Sequence, residues 1–330
     1  MTVTQDELKG RLRHAGFSHL LAICDGNVGE DTTLEIATEI VRETSASLTL
    51  MSVLERPPGL VRLAKHTSVD ADEIIRRMVD DERQRLADLT LALSIPCKIE
   101  VRVGKEFLEI IREVISNSCD LVIKAADAPA GMPRGFFTST DQHLLRKCPA
   151  PVWLHMPSTA QPPQIVVAAV DVDLVSAAQP DTMRDLNHHV VITAAEIARQ
   201  SDAVLHIVHA WDGAGEGLIW MWSNAANAKK EVDAYLKSVF EESQKNLKAL
   251  VKDASIPETH LRLHSIRGPA REVIPEKVKA LKADTLVMGS VARTGIPGFI
   301  IGNTAEDVLN RVETSVVIVK PPGYVSPVKV

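Results

Sequence analysis

Apolar and polar positions alternate along this chain in two rhythms. Short, almost fully apolar runs such as "IVVAAVDV" (165–172), "AVLHIVHA" (203–210), "DTLVMG" (284–289) and "SVVIVK" (315–320) suit strands buried on both faces. With "HLRLHSIRG" (260–268) they alternate with helical spacing at about 185–201, 225–254, 270–282 and from 304. The first half repeats the scheme with "HLLAICD", "SLTLMSVLE", "KIEVRVG", "DLVIKAA" and "PVWLHM". Five strands and four helices per half imply right-handed crossovers. The predicted fold is α/β, with a doubly wound, Rossmann-like five-stranded parallel sheet in each half and helices on both faces.

The two halves are copies. A shift of 164 positions aligns residues 104–157 with 268–321 without a gap. Gly104 meets Gly268, Asp120 meets Asp284, Pro133 meets Pro297, Leu145 meets Leu309 and Pro157 meets Pro321. The polar, proline-rich "PSTAQPPQ" (157–164) marks the join, so the expected domains are 1–158 and 165–330.

Composition narrows the class. A net charge of −6 with no basic stripe speaks against direct nucleic-acid binding. No apolar run reaches the roughly 20 residues of a membrane span, and the charged N-terminus resembles no secretory signal. Cys24, Cys97, Cys119 and Cys148 are widely spaced, as free thiols are. The expectation is a soluble cytoplasmic protein.

In doubly wound sheets ligands sit beyond the carboxyl ends of the strands. Two stretches of the second half meet there: "AVDVD" (169–173), with Asp171, and "MGSVARTGIPGFIIGNT" (288–304). The latter is bounded by Gly289 and Gly302, and "NTAE" reads as a capping box with Asn303 as cap. The following helix start offers N–H groups to a phosphate, and Arg293 and Thr294 add donors. Glu306 and Asp307 oppose an anion, and loops of this kind also occur without a ligand.

At these residues the chain resembles the universal stress protein family, whose nucleotide loop runs Gly, two residues, Gly, nine residues, Gly and then Ser or Thr. Here the positions are Gly289, Ser290-Val291, Ala292, Arg293 to Ile301, Gly302 and Asn303. "TSTDQHLLRKCPAPVW" (138–153) and "VARTGIPGFIIGNTAEDVL" (291–309) are most similar to a tandem two-domain bacterial subgroup. The resemblance implies a role in stress resistance and ATP in the C-terminal domain; no metal is expected from the residues themselves. It places adenine at Asp171 and Ile207, and ribose and phosphates at Gly289, Ala292, Gly302 and Asn303; Ser290, Arg293 and Thr304 complete the candidate binding set. Ala292 replaces a glycine and Asn303 a hydroxyl residue, so the ligand is either weakly held ATP or something else. In the first half the motif positions are Ala125, Ala128, Thr138 and Ser139; Asp25 persists, and a structural or regulatory role is expected. The resemblance also implies that the domains pair through their fifth strands (151–156 and 315–320), with a further homodimer open.

Trp211, Trp220 and Trp222 fall within twelve residues. They suit an apolar lid for an amphipathic, phosphate-bearing ligand, or packing against the first domain or a second chain. His206, His260 and His264 put a metal site within geometric reach, but no acidic or cysteine ligand completes it and core packing is the simpler reading. Neither GxSxG nor GxxxxGK[ST] occurs. The primary reading is a binding and signalling module, with a weak ATPase and an amphipathic-ligand carrier as the rivals.

Overall fold

A computed structural model of the chain describes residues 16–68, 70–127, 137–159, 162–174, 177–223, 227–257, 259–290 and 302–330. In chain order the first half forms β1 (His19–Ile23), α1 (Glu30–Thr44), β2 (Ser47–Leu54), α2 (Leu60–His66), α3 (Ala71–Leu93), β3 (Cys97–Val103), α4 (Glu106–Asn117), β4 (Leu121–Ala125), α5 (Ser139–Lys147) and β5 (Val152–His155). The second half forms β6 (Ile165–Val170), α6 (Pro180–Gln200), β7 (Val204–Trp211), α7 (Glu216–Trp222), α8 (Ala228–Asp253), β8 (Leu261–Arg267), α9 (Ala270–Leu281), β9 (Thr285–Gly289), α10 (Asn303–Leu309) and β10 (Ser315–Val319). The expected α/β architecture is what the chain adopts. Two short helices, α2 and α7, were not foreseen; their seven residues are too few to display a helical period.

The strands lie in one sheet, in the order β3-β2-β1-β4-β5-β10-β9-β6-β7-β8. Neighbours run parallel except at the centre, where β5 and β10 are antiparallel with Trp153 opposite Val317. In this arrangement both fifth strands have neighbours on two sides, so neither leaves an unpaired edge at the join.

Alternating strand residues feed two cores. Leu20 and Ala22 of β1 face one with Val166 and Ala168 of β6, while Leu21 and Ile23 face the other with Val167 and Ala169. Each core contains residues of both halves, so the apolar layers cross the joint. A buried Leu or Ile contributes roughly 1.5–3 kcal/mol. Helices cover both sheet faces, leaving the carboxyl ends of the strands as the rim on which polar groups collect.

Candidate functional site

The second half's crevice is built at the ends of β6 and β9. Asp171 follows β6, its backbone fixed by Asn187: Asp171 N–H donates to Asn187 Oδ1 (3.0 Å), and Asn187 Nδ2 donates back to the Asp171 carbonyl. Although Asp171 is exposed at the rim, protein packed around its carboxyl group desolvates it. That burial, with the charges of Asp173 and Asp212, raises its pKa against the pull of His209 and of the Asp173 N–H. Gly289 ends β9 at a point of close approach, where an added Cβ would lie 2.7 Å from Leu186 Cδ2 of α6. An alanine here would have to push the Leu186 side chain aside, so strand-to-helix packing favours this glycine whether or not a ligand binds.

Ser290 is fully buried. Its N–H donates to the Val319 carbonyl (3.0 Å), and its Oγ accepts from Lys320 Nζ (2.5 Å), so the side chain is engaged toward β10. Gly302 adopts φ 100° and is itself the N-cap of α10, its carbonyl accepting Glu306 N–H at 3.0 Å. The expected capping box with Asn303 does not form: the positive φ falls on the glycine, and Asn303 becomes the first helical residue. Asn303 and Thr304 are exposed on the first turn. Ile207 is fully buried inside β7, opposite Ala168 of β6 and Leu263 of β8. Ala292, Arg293 and Thr294, like Ala128 of the first half, lie outside the described residues.

The equivalent place in the first half is full. Lys124 of β4 is 0% exposed, and its ammonium is ringed by Asp127 Oδ2 (2.7 Å), Asp141 Oδ1 (3.4 Å), Asp25 Oδ2 (3.5 Å) and Glu106 Oε1 (3.9 Å). Burial alone would lower the amine's pKa; the charges of Asp141, Glu106 and Asp127 outweigh it and hold Lys124 above the ordinary lysine range. Burial also raises Glu106, to about 7 against the pull of Lys124, and raises Asp141. Asp141 Oδ2 closes a true capping box on α5 with Thr138. Beside the cage, Arg85 bridges Glu30 (2.6 Å), Glu82 (2.7 Å) and the Cys24 carbonyl (3.2 Å).

The repeat makes the contrast exact in sequence terms. Shifted by 164, Lys124, Glu106, Asp127 and Asp141 become Met288, Ala270, Val291 and Ala305. Asp25 corresponds to Asp171, because Leu20 pairs with Leu121 as Val166 pairs with Thr285. Of the five charged groups only the aspartate persists in the second half. Sequence reasoning missed this cage, whose one visible signal was a lysine inside the apolar run "DLVIKAA".

Helix α7 stands beyond the carboxyl end of β7, with Leu218, Met221, Trp220 (53%) and Trp222 (81%) exposed. Its anchor is the Arg267–Glu216 pair (2.6 Å), while Trp211 packs on Phe240 with ring centroids 6.1 Å apart. His206 Nδ1 lies 2.9 Å from His264 Nε2 in a stacked pair, whereas His260 turns to Asp202 at 3.7 Å. Both paired imidazoles are held toward neutrality by burial and by Lys277, His264 at a pKa of about 4. Among the described residues no cluster of three metal-ligating side chains occurs. A cavity of about 740 Å³ opens at the opposite, amino edge of the sheet, floored by Ile192, Leu205, Leu250 and Leu261.

The universal stress protein family matches residues 16–155 and again 184–320. Universal stress protein E of Escherichia coli strain K12 is 34% identical over 247 residues, covering 72% of this chain and 73% of its own. Universal stress protein E of Photorhabdus laumondii is 25% identical over 96% of this chain and 98% of its own. Among solved structures, a putative universal stress protein from Pseudomonas aeruginosa UCBPP-PA14 is 25% identical, covers 92% of this chain and 94% of its own, and has a TM-score of 0.63. A functionally unknown protein from Pseudomonas aeruginosa PAO1 is 24% identical over 92% of this chain and 93% of its own, with a TM-score of 0.64.

Proposed function

The chain belongs to the universal stress protein family, and from that premise we propose that it is a tandem binding and signalling protein of stress resistance, with domains at 1–158 and 165–330. Its second domain takes a phosphate-bearing small molecule at the crevice between β6 and β9. ATP is the first candidate: adenine near Asp171 and Ile207, phosphates toward Gly289, Ser290, Ala292, Arg293, Gly302, Asn303 and Thr304. The protein works in the cytoplasm, and the β5–β10 pairing is its standing internal dimer, on which a further homodimer can build.

The observation that carries this reading is the asymmetry at equivalent positions. In the first half Lys124 and four carboxylates fill the crevice from within. In the second half Met288, Ala270 and Ala305 replace those groups while Asp171 stays, so this crevice lacks the internal charges of its counterpart. The first domain is then structural or regulatory.

A second reading, a sensor or carrier of an amphipathic phosphate-bearing ligand, draws on the exposed Trp220 and Trp222 at the same rim. Weak ATPase activity is the enzymatic rival. Denaturing the purified protein and identifying what it releases by mass spectrometry separates them. Recovered ATP supports the first reading, and a lipid-like phosphate ester supports the second. Recovery of neither, together with no ATP uptake in calorimetry, defeats both. If ATP is recovered, turnover that survives replacement of Asp171 and Arg293 argues against hydrolysis at this site.

A further inference from the structure

The cavity at the amino edge of the second half, about 740 Å³ in volume, has the size of a small-molecule site. One wall is α6, which lines it from Arg184 to Arg199, roughly 22 Å of helix. The other is the last turn of α8 and the chain that leads from it into β8. The floor is aliphatic, made by Ile192, Ala195, Leu205, Leu250, Ile256 and Leu261. Among the described residues no phenylalanine, tyrosine or tryptophan lines it, so a nucleobase finds no stacking surface there.

The first half shows what is particular to this place. Ser47 opens β2 opposite His19 and Val204 opens β7 opposite Ile165, so α1 and β2 correspond to residues 157 further on. Ser45 and Asp202 accordingly share a left-handed backbone, with φ 57° and 49°. The run Ser94-Ile95-Pro96 matches Ser255-Ile256-Pro257, with φ 55° at both serines. Part of the floor is common to both halves, because Leu48, Leu89 and Ile95 stand where Leu205, Leu250 and Ile256 do. The rest is new. Cys97 of β3 follows Pro96 directly, whereas residues 258–260 separate Pro257 from Leu261, and Thr259 and His260 of that insertion line the cavity. Glu35 gives way to Ile192 on the floor, while Ser45 and Ala92 give way to Asp202 and Asp253 on the rim.

That rim is acidic. Arg184 is paired with Asp181 (3.0 Å), and Arg199 with Glu196 (2.7 Å) and Glu43 (3.5 Å). Among the described residues Asp202 pairs with His260 alone, at 3.7 Å, and Asp185 and Asp253 have no ion pair. Lys252, in the last turn of α8, does not line the cavity. The C-termini of α6 and α8 bring the negative ends of two helix dipoles to the side where Asp202 and Asp253 stand.

We propose that this cavity binds a small molecule with an aliphatic chain that ends in a protonated amine. The chain lies on the floor beside Ile192 and Leu205, and the ammonium sits at Asp202 and Asp253, where the helix ends favour a cation. A carboxylate or phosphate at the same point would face like charge. The site is separate from the crevice between β6 and β9 and does not rest on the nucleotide reading.

The test titrates the full chain with decylamine, hexylamine, decanoate and decanol at pH 7.5 in calorimetry, below the concentrations at which they aggregate. Amide NMR shifts locate the site. Decylamine is expected to saturate one site and to shift the amides of Ala195, Leu205 and Leu261. Hexylamine, with four fewer methylenes on the floor, is expected to bind at least about tenfold more weakly. Decanoate is expected to bind more weakly than decanol. The double variant Asp202→Asn/Asp253→Asn changes two exposed positions, so it should melt as the wild type does. Its decylamine affinity is expected to fall about two- to tenfold while decanol affinity holds. Decanoate bound as tightly as decylamine, or full decylamine affinity in the double variant, overturns the inference. So does decylamine that saturates no site or shifts amides only elsewhere.

Discussion

Lys124 Nζ sits 2.7 Å from Asp127 Oδ2 inside the first domain, at the point where the second domain carries Met288. One ammonium there faces four carboxylates and offsets part of their mutual repulsion, so the lysine cannot be exchanged for its counterpart at little cost. Lys124→Met is expected to destabilise the protein by about 3–5 kcal/mol at neutral pH, the usual result of leaving buried charges unpaired. The loss should shrink in acid, where the orphaned carboxylates take up protons. Urea unfolding at pH 5 and pH 7.5 measures both effects, and equal destabilisation at the two pH values would show that the cage is not held by charge.

Gly289 and Leu186 make a second test, of packing against ligand contact. An added Cβ at Gly289 meets Leu186 Cδ2 at 2.7 Å and Cγ at 2.8 Å. Gly289→Ala should therefore cost about 1–3 kcal/mol in stability, as overpacking does. Leu186→Val should recover part of it in the double variant, a coupling that chemical denaturation of the four proteins reads directly. Additive costs would mean that the glycine serves something other than this helix contact.

The repeated α/β fold was legible in the sequence because its signals are local. Apolar runs mark most strands, apolar–polar alternation marks β3 and β8, and the 164-residue shift carries β3, β4 and β5 onto β8, β9 and β10. The position of Asp171 just beyond β6 was legible for the same reason, as the first polar residue after such a run. The cage was not, because Asp25, Glu106, Lys124 and Asp141 come from separate stretches that meet only when the sheet assembles. The cap of α10 was misplaced by one residue: Asn303 is the better capping side chain, but the backbone needs φ near 100° at the cap, and Gly302 supplies it. Nothing in the sequence marks the contacts of Arg146 and Lys320, because only the joint brings them to Glu306 and Ser290.

Glu106 gives the cage a pH signature. Its folded pKa of about 7 lies above the ordinary value of 4.5 because burial opposes its charge. The folded chain thus keeps a proton that the unfolded chain releases, and stability falls as pH rises from about 4.5 through 7. Lys320 acts in a different window: with a folded pKa of about 7 against 10.5, its penalty is present below 7 and is relieved as pH climbs above it. His155, lowered by burial to about 4, gains stability as pH rises from 4 toward 6.5 and overlaps with Glu106. The comparison with Glu106→Gln removes that overlap. Between pH 5 and 7.5 the wild type should lose about 1–3 kcal/mol more than the variant. Parallel stability profiles for the two proteins would refute the assignment.

Trp220 bears on which ligand the second domain takes. Its side chain is 53% exposed on a seven-residue helix whose Leu218, Met221 and Trp222 are also exposed, so the fold gains little from it. Trp220→Ser should change unfolding stability by no more than about 0.5 kcal/mol, as surface substitutions do. An apolar rim beside the crevice would instead contribute to holding a ligand's apolar part. If the wild type yields an amphipathic phosphate ester, its recovery from purified Trp220→Ser, quantified by mass spectrometry, is expected to drop several-fold, because each aromatic contact removed costs of the order of 1 kcal/mol. Full recovery from a stable variant would take α7 out of the site and leave the crevice between β6 and β9 to bind its ligand without a lid.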